Sequence, residues 1–360
     1  RGMDAMGHPL FAQRSLDFFI HRYSPEGFLT TGYTLMGTGW HLWTLGEHYD
    51  RTHDREWLKR VAPEVARVCR WIMKQRATTK KLGPDGRRVP EYGLMPPGVM
   101  ADWNAFAYHF CLNAYYCAGL RAAAHALADV GHPDAEAFAA DAVEYREDIL
   151  RAYRWTQARM PVYPLADGTF VPGYPSQLFS PGPLGYLFPG EDGNRSWCYD
   201  VELGAHQLVP LGILDAGSRD VTWMMHHMED VQFLSDGWFD YPAAESAKDP
   251  FNLGGFAKVQ PYYCRNAEVY AMRDDVRPFI RSYFNTIPSL LSREVLSFQE
   301  HFKGVGAWNK THETGYFLHQ TRMMLVMERA DDLWLAPFVT NNWLRPVSYT
   351  HLTLPTIYSV

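Results

Sequence analysis

Hydrophobic positions recur every three or four residues through most of this chain, a spacing that predicts a helical protein. The clearest example is residues 54–76, where Trp57, Val61 and Val65 repeat at this spacing and charged residues fill the positions between them. An apolar stripe opposite a charged face is typical of a helix on the outside of a bundle. Residues 133–159 show the same pattern and predict a second outer helix.

Other stretches have a different character. Tyr33–Tyr49 and Trp103–Leu127 are apolar or aromatic on nearly every side, with small Gly and Ala residues between the large ones. Helices of this kind are buried all round. Outer and inner types alternate five times, which predicts an all-α, double-layered barrel of helical hairpins. The predicted helices span 10–22, 33–50, 54–76, 102–130, 133–159, 198–217, 219–235, 259–274, 275–292 and 309–329.

The connections between these helices alternate in length. Four are tight turns, at Asp50–Asp54, Gly131–Pro133, Gly217–Asp220 and Asp274–Val276. Four are much longer than the few residues usual between helices, and they are rich in aromatic residues: 77–101, 160–197, 236–258 and 293–308. Each long loop precedes an inner helix, so the loops and the inner-helix N-termini share one rim. Helix N-termini attract carboxylates and polar ligands, and we therefore expect the functional site at that rim.

The strongest candidate residue is Glu300, in the loop that leads into the last inner helix. It lies between Phe298 and Phe302 in the sequence. A carboxylate among aromatic side chains can have a raised pKa, which suits acid or base catalysis. The alternative is that Glu300 forms an ion pair with Lys303 or Lys310.

Further candidates lie on the same predicted rim. Asp102, beside Trp103, stands at the start of an inner helix, where it either binds sugar hydroxyls or acts only as the helix cap. The other predicted substrate-binding residues are Glu91, Trp103, Trp238, Asp240, Trp308, His312 and Glu313.

The amino-acid composition excludes several classes of function. The 360 residues are 47% hydrophobic, enough for a large core, and the net charge of −6 with no basic stripe argues against nucleic-acid binding. No apolar run approaches the ~20 residues that cross a membrane. The five cysteines form no CxxC pair, and His226–His227 lacks a metal-ligand pattern, so we predict no metal and no cofactor. Neither oligomeric state nor location in the cell follows from the sequence.

Two segments carry a resemblance to a known family. SFQEHF (Ser297–Phe302) and GAWNKTHETGYF (Gly306–Phe317) resemble a region of six-hairpin glycosidases of the α-L-rhamnosidase and glucoamylase-like groups, and Asp102–Trp155 is similar to another region of the rhamnosidases. The resemblance spans residues 10–345. It implies an (α/α)6 toroid, of which about five of six hairpins are present, and an inverting glycoside hydrolase acting on a carbohydrate substrate. It also implies that Glu300 is the general base and that His312 binds substrate.

The chain departs from the family pattern in two places. Gln299 stands where the family has a Trp before the base, and a DERLGW-like segment with the general acid is absent. The acid therefore either belongs to an N-terminal hairpin that this sequence lacks, or is Asp102, Glu91 or Asp240.

The same reasoning divides the chain into three predicted parts. Residues 1–330 are predicted to form an N-terminally truncated catalytic barrel, and 331–346 the start of a C-terminal β-sandwich, since LWLAPFV resembles the entry into one. Residues 347–360 resemble the translation of a sequencing adaptor and are expected to be non-native. The alternative for them is a genuine β-strand tail.

Two other functions stay open. An (α/α)6 sugar epimerase or polysaccharide lyase would need His109, His206 and His319 to point into the barrel as bases. A non-catalytic scaffold of stacked helix pairs would show repeats of similar length, whereas the units here vary widely.

Overall fold

The computed structural model describes residues 1–30, 36–100, 106–165, 167–180, 204–234, 264–300, 307–329 and 332–344. This part of the chain is mostly helical, as predicted. Its α-helices are α1 (Gly2–Ala5), α2 (Pro9–Ile20), α3 (Met36–Thr52), α4 (Arg55–Thr79), α5 (Phe110–Asp129), α6 (Ala135–Gln157), α7 (Arg219–Leu234), α8 (Asn266–Met272), α9 (Val276–Leu290) and α10 (Thr311–Leu325). Short 3-10 helices span Ala205–Leu208 and Asn341–Leu344.

The described strands form four small antiparallel hairpins. They pair β1 (Gly98–Val99) with β2 (Phe106–Ala107), β3 (Tyr163–Pro164) with β4 (Phe170–Val171), β5 (Leu291–Ser292) with β6 (Ser297–Phe298), and β7 (Val326–Arg329) with β8 (Asp332–Leu335). The β3–β4 hairpin lies within one predicted long loop, and β1 and β6 lie within two others, whereas β2 and β5 fall in stretches that were predicted to be helical.

The strongly amphipathic helices were predicted closely. The helix predicted at 54–76 is α4, which begins after Asp54, because the Asp54 carboxylate accepts a hydrogen bond from the Trp57 N–H at 3.0 Å. The helices predicted at 133–159 and 219–235 are α6 and α7.

Three predicted helices were wrong in part. Within 198–217, the described residues form only the 3-10 helix and turns, because Pro210 lacks an N–H and Gly212 has a φ of +73°. The helix predicted from residue 102 begins at Phe110, after the β1–β2 hairpin. The last predicted helix ends at Leu325, because the next four residues pair as β7 with β8.

Glycines allow the close contact between α3 and α5. A Cβ at Gly39 would lie 2.8 Å from the backbone nitrogen of Tyr116, and one at Gly46 would lie 2.4 Å from the Cβ of Ala122. The small residues noted in the two buried stretches therefore let these helix backbones approach each other.

The remaining packing places α10 beside α1. Helix α5 also packs against α6, α4 and the 3-10 helix Ala205–Leu208, while α8 packs against α9 and α10. Helix α1 contacts α10 and α2, and α2 contacts α3. Among the described helices, none combines the length and the apolar character that crossing a membrane requires.

A buried ion-pair network fixes the loop between α4 and α5. The Arg76 guanidinium donates to the Gly93 carbonyl at 2.8 Å and to the Asp148 carboxylate at 3.0 Å. Arg151 pairs with the same Asp148 and also donates to the carbonyl of Tyr92 at 2.6 Å. These bonds fix residues 92–93, next to Glu91, against α6.

Candidate functional site

Glu300 lies just after β6 and is held from two sides. Its side chain is 19% exposed and forms an ion pair with Lys310, the residue that caps α10. Its second carboxylate oxygen accepts a hydrogen bond from the Ala307 N–H at 3.3 Å, and its own N–H donates to the Ala307 carbonyl at 2.7 Å. Lys310 is thus one of the two ion-pair partners considered from the sequence. The adjacent ammonium favours the ionised form of the carboxylate.

The first turn of α10 brings His312 and Glu313 next to this pair. The Glu313 side chain is buried, and its Oε1 lies 3.9 Å from the Nε2 of His312. Burial, and then the charge of Lys310, lower the pKa of His312 to about 4. His312 is therefore a neutral imidazole at pH 7, able to donate one hydrogen bond and accept another.

A small pocket of about 180 Å³ opens beside His312. Trp40 and Trp43 of α3 wall it on one side, and Tyr316 and Gly315 of α10 wall it on the other. A Cβ added at Gly315 would meet no atom within 4 Å, so the helix leaves open space there. The pocket combines indole faces with hydroxyl and imidazole groups and the guanidinium of Arg1.

Charged groups are buried beneath this pocket. Arg265 donates to Glu268 through two bonds of 2.6 and 2.7 Å, and its guanidinium lies 5.1 Å from the Trp43 ring centre. His319 lies 3.8 Å from the same Glu268 carboxylate. Arg265 also has a φ of +65°, a left-handed backbone conformation that is unfavourable for a residue other than glycine. The Tyr115 hydroxyl lies 3.4 Å from that of Tyr316 and extends the polar layer.

A second, larger compartment of about 830 Å³ adjoins the first. The two share Arg1, Gly2, Trp40, Thr44 and Gly315 as wall residues. The larger compartment lies between α10 with β6 on one side and α1, α2 and α3 on the other. Among the described residues, Glu300 lines neither compartment, whereas Ser297, three residues before it, lines the larger one and His312 lines the smaller one.

The structure brings together only some of the predicted site residues. Glu300, His312 and Glu313 converge at the N-terminal end of α10, and Trp308, which is 56% exposed, lies in the loop just before it. Glu91 lies on the separate α4–α5 loop, where burial and then the Glu91 charge raise the pKa of Tyr108. The remaining predicted residues lie outside the described part of the chain: Asp102, Trp103, Trp238 and Asp240.

Sequence reasoning missed the pocket walls and the buried pair beneath them. Trp40 and Trp43 were interpreted as part of a helix buried on all sides, although α3 turns both toward α10. Arg265 and Glu268 lie three residues apart in an apolar stretch. That charged pair within an apolar segment was the signal that could have identified them.

The histidines on which an epimerase or lyase would depend are all buried. Burial, and then the charge of Arg265, lower the pKa of His206 to about 3. His319 has its pKa lowered well below the usual value, again chiefly by burial. His109 precedes α5 and is fully buried. Among the described residues, no group of three or more His, Cys, Asp or Glu side chains could hold a metal ion.

Comparison of the sequence with models of known protein families gives no match, and comparison with curated proteins gives none either. The functional assignment therefore depends on the geometry of the site.

Proposed function

We propose that this protein is a glycoside hydrolase that binds a sugar ring in the small pocket and uses Glu300 as general base. One observation carries the proposal: at one helix N-terminus, a carboxylate anchored by Lys310 lies close in the sequence to a neutral histidine that lines an aromatic-walled pocket. Aromatic faces with a few placed polar groups are typical of small-ligand sites. A sugar ring has apolar faces and hydroxyl edges, and it matches this combination.

The packing order supports the finer fold proposal, an (α/α)6 toroid. Helix α3 contacts α5, α5 contacts the 3-10 helix Ala205–Leu208, and α8 and α1 both contact α10. These would be the inner elements of the toroid. Helices α2, α4, α6, α7 and α9, which alternate with them along the chain, would form the outer layer.

The mechanism we propose is inverting. Glu300 would take a proton from a water molecule while the water oxygen attacks the anomeric carbon and the glycosidic C–O bond breaks. A second carboxylic acid would protonate the departing oxygen from the opposite face, at ~6.5–9.5 Å from Glu300. Asp102, Glu91 and Asp240 are the proposed candidates for this acid. Lys310 would keep Glu300 ionised, which is the state a base requires, and neutral His312 would bind a sugar hydroxyl.

Replacing Glu300 by Gln tests the proposed base. Turnover of a panel of glycosides, followed as new reducing ends, should fall by about 10²–10⁴-fold, because the amide cannot accept the proton. Glu294→Gln is the matched control, since Glu294 is exposed in the turn between β5 and β6. Equal turnover in the two variants would show that Glu300 is not the base.

Filling the pocket tests the proposed sugar site separately. Gly315→Leu places a side chain in open space, so the protein should fold, but sugar affinity should fall by at least tenfold. Gly315→Ala should have a smaller effect, because it adds a single methyl group. Undiminished sugar binding by the Leu variant would exclude this pocket.

A second candidate function is a sugar epimerase or polysaccharide lyase. The observation that favours it is the pair of buried neutral histidines, His206 and His319, near Arg265 and Glu268. Product analysis separates the two functions. A lyase forms an unsaturated sugar and an epimerase an inverted stereocentre, whereas a hydrolase forms a new reducing end.

A further inference from the structure

We infer that the small pocket binds a sugar that carries a carboxylate, so that the substrates are glycosides of uronic acids rather than of neutral sugars. This inference rests on the proposed function of the small pocket and names its substrate class. It follows from the charged side chains at the pocket wall and directly behind it.

Arg1 gives the small pocket a positive charge. Among the described residues that line the pocket, Arg1 alone has a side chain that is charged at pH 7, because His312 is neutral. The Arg1 guanidinium carbon lies 4.6 Å from the centre of the Trp43 ring, against one of the indole faces of the wall. Neither Glu300 nor Glu313 lines this pocket. A ligand in the pocket therefore meets a cation beside an aromatic surface.

The Arg1 guanidinium keeps donors for a ligand. Its Nε donates to Glu47 at 2.9 Å, and its Nη1 donates to Glu268 at 3.1 Å. These bonds use two of the five N–H groups of a guanidinium. The side chain is 14% exposed and lines both compartments. Arg1 can therefore donate to a bound group while both of its ion pairs stay intact.

One positive charge is left over when the ion pairs behind the pocket are counted. Five residues form a chain in which each side chain pairs with the next, at N–O distances of 3.2, 2.9, 3.1 and 2.6 Å: Arg51, Glu47, Arg1, Glu268 and Arg265. Three guanidinium groups thus share two carboxylates. A ligand with one negative charge would balance the chain.

The neighbouring titratable groups do not remove this excess. His319 lies 3.8 Å from Glu268, but burial keeps it neutral by holding its pKa well below the usual value. The Asp4 carboxylate forms a hydrogen bond with His48 at 2.8 Å, and it lies 3.6 Å from the backbone nitrogen of Arg1 rather than beside the guanidinium. Neither group places a negative charge at the small pocket.

Arg265 provides a separate observation of unused donor capacity. Its Nη1 is buried and has no hydrogen-bond partner among the described residues. Its guanidinium carbon lies 5.1 Å from the centre of the Trp43 ring and 5.6 Å from that of Tyr316, and both rings line the small pocket. A buried charged donor without a partner is unfavourable, and a negative charge on the pocket side of these rings reduces that cost.

A carboxylate matches this wall better than a hydroxyl or a phosphate. Bonds between a guanidinium and a carboxylate are roughly twice as strong as bonds between neutral groups, and the two flat groups can form two parallel bonds. A phosphate monoester carries about −1.5 to −2 charges at pH 7, more than the one charge that is left over. In a uronic acid the carboxylate is attached to the ring itself. A ring packed on Trp40 or Trp43 can therefore direct its carboxylate to Arg1 while His312 binds a hydroxyl.

Matched ligands test the inference on the original protein. Isothermal titration compares glucuronate with its methyl ester and with glucose, and galacturonate with its methyl ester and with galactose. In at least one series the acid should bind at least about tenfold more tightly than its methyl ester, because the ester keeps the ring and removes the charge. Glucose 6-sulfate and glucose 6-phosphate measure whether a different anion is preferred.

Two arginines of the ion-pair chain provide matched variants. Arg1→Gln removes the guanidinium that lines the pocket, and it should reduce the affinity for the acid about tenfold and that for the methyl ester much less. Arg51→Gln removes the guanidinium at the far end of the chain, which does not line the pocket, and should keep most of the preference for the acid. Circular dichroism and thermal unfolding verify that both variants fold. If Arg1→Gln does not fold, the comparison of ligands on the original protein still decides the inference.

Different failures identify different errors. Equal affinities for acid and methyl ester in both series, tighter binding of the sulfate or the phosphate, or equal effects of the two variants on the affinity for the acid would overturn the uronic-acid inference. If the neutral sugars nevertheless bind, and Gly315→Leu weakens their binding, the proposed sugar pocket stands. If neither acidic nor neutral sugars bind, the proposed function fails as well.

Discussion

Buried histidines should make the folding of this protein sensitive to mild acid. His41, His206, His227 and His319 are each at most 8% exposed. Burial lowers the pKa of His41 to about 4 and those of His206 and His227 to about 3, and it holds the pKa of His319 well below its usual value. In the unfolded chain each would titrate near pH 6.5.

The direction in which stability changes with pH follows from the number of protons that the folded and unfolded chains bind. Below about pH 6.5 the unfolded chain binds protons that the folded protein excludes, so the free energy of unfolding falls as the pH falls. Between about pH 7 and about pH 5.5, each such histidine lowers the free energy of unfolding by roughly 1.2 kcal/mol. The four together lower it by up to about 5 kcal/mol. That is a large part of the roughly 5–15 kcal/mol by which proteins are stable. Most carboxylates stay ionised in this window.

Helix α7 offers a matched pair of variants. The His227 ring stacks between Tyr163 and Tyr174, with ring centres 5.8 and 5.7 Å away, whereas its neighbour His226 is exposed. His227→Phe keeps an aromatic ring in the stack but removes the proton site. It should reduce the acid-induced loss of stability by roughly 1.2 kcal/mol, while His226→Phe should leave the loss unchanged.

Urea unfolding followed by circular dichroism at several pH values measures these differences. Any effect on stability that His227→Phe and His226→Phe share cancels when the two variants are compared. A wild-type free energy of unfolding that does not change between about pH 7 and about pH 5.5 would refute the reasoning, as would equal effects of the two substitutions.

Two further stability predictions concern buried contacts. Gly39→Ala should destabilise the protein by about 1–3 kcal/mol, because its Cβ would lie 2.8 Å from the Tyr116 nitrogen, whereas Gly315→Ala meets open space and should be neutral or stabilising. Glu268→Gln should cost about 3–5 kcal/mol, because it leaves the Arg265 guanidinium buried without its anion. Urea unfolding at pH 7 measures the stability of all three variants. A Gly39→Ala variant as stable as Gly315→Ala would contradict the first prediction. A Glu268→Gln variant as stable as the original protein would contradict the second.

Local sequence signals were sufficient for some helices and insufficient for others. Helices α4 and α6 carry an apolar stripe, a charged face and tight turns, and their predicted bounds lie within a few residues of those observed. Residues 204–217 have enough apolar residues to resemble a helix, but the backbone limits of Pro210 and Gly212 override that pattern. At the end of α10, strand pairing with β8 decided the boundary, and this is a tertiary contact that periodicity does not report.

The site could be predicted only as far as it is local in the chain. Glu300, His312 and Glu313 lie within one short segment, and the structure brings them together. The small pocket depends on the contact of α10 with α3, which lies far away in the sequence, so Trp40 and Trp43 could not be separated from core residues. The ion pair of Glu300 with Lys310 is one of the two pairings that were considered from the sequence, and the structure shows it; Lys303 lies outside the described residues.

Chemical rescue tests most directly whether Glu300 is the base of an inverting glycosidase. Glu300→Ala removes the carboxylate and leaves space for azide, a nucleophile that needs no base. With azide added, this variant should convert an aryl glycoside into a glycosyl azide of inverted anomeric configuration, detected by NMR, while turnover with water alone stays low. If Glu300→Ala hydrolyses glycosides as fast as the original protein, or azide forms no adduct although the original protein is active, Glu300 is not the base.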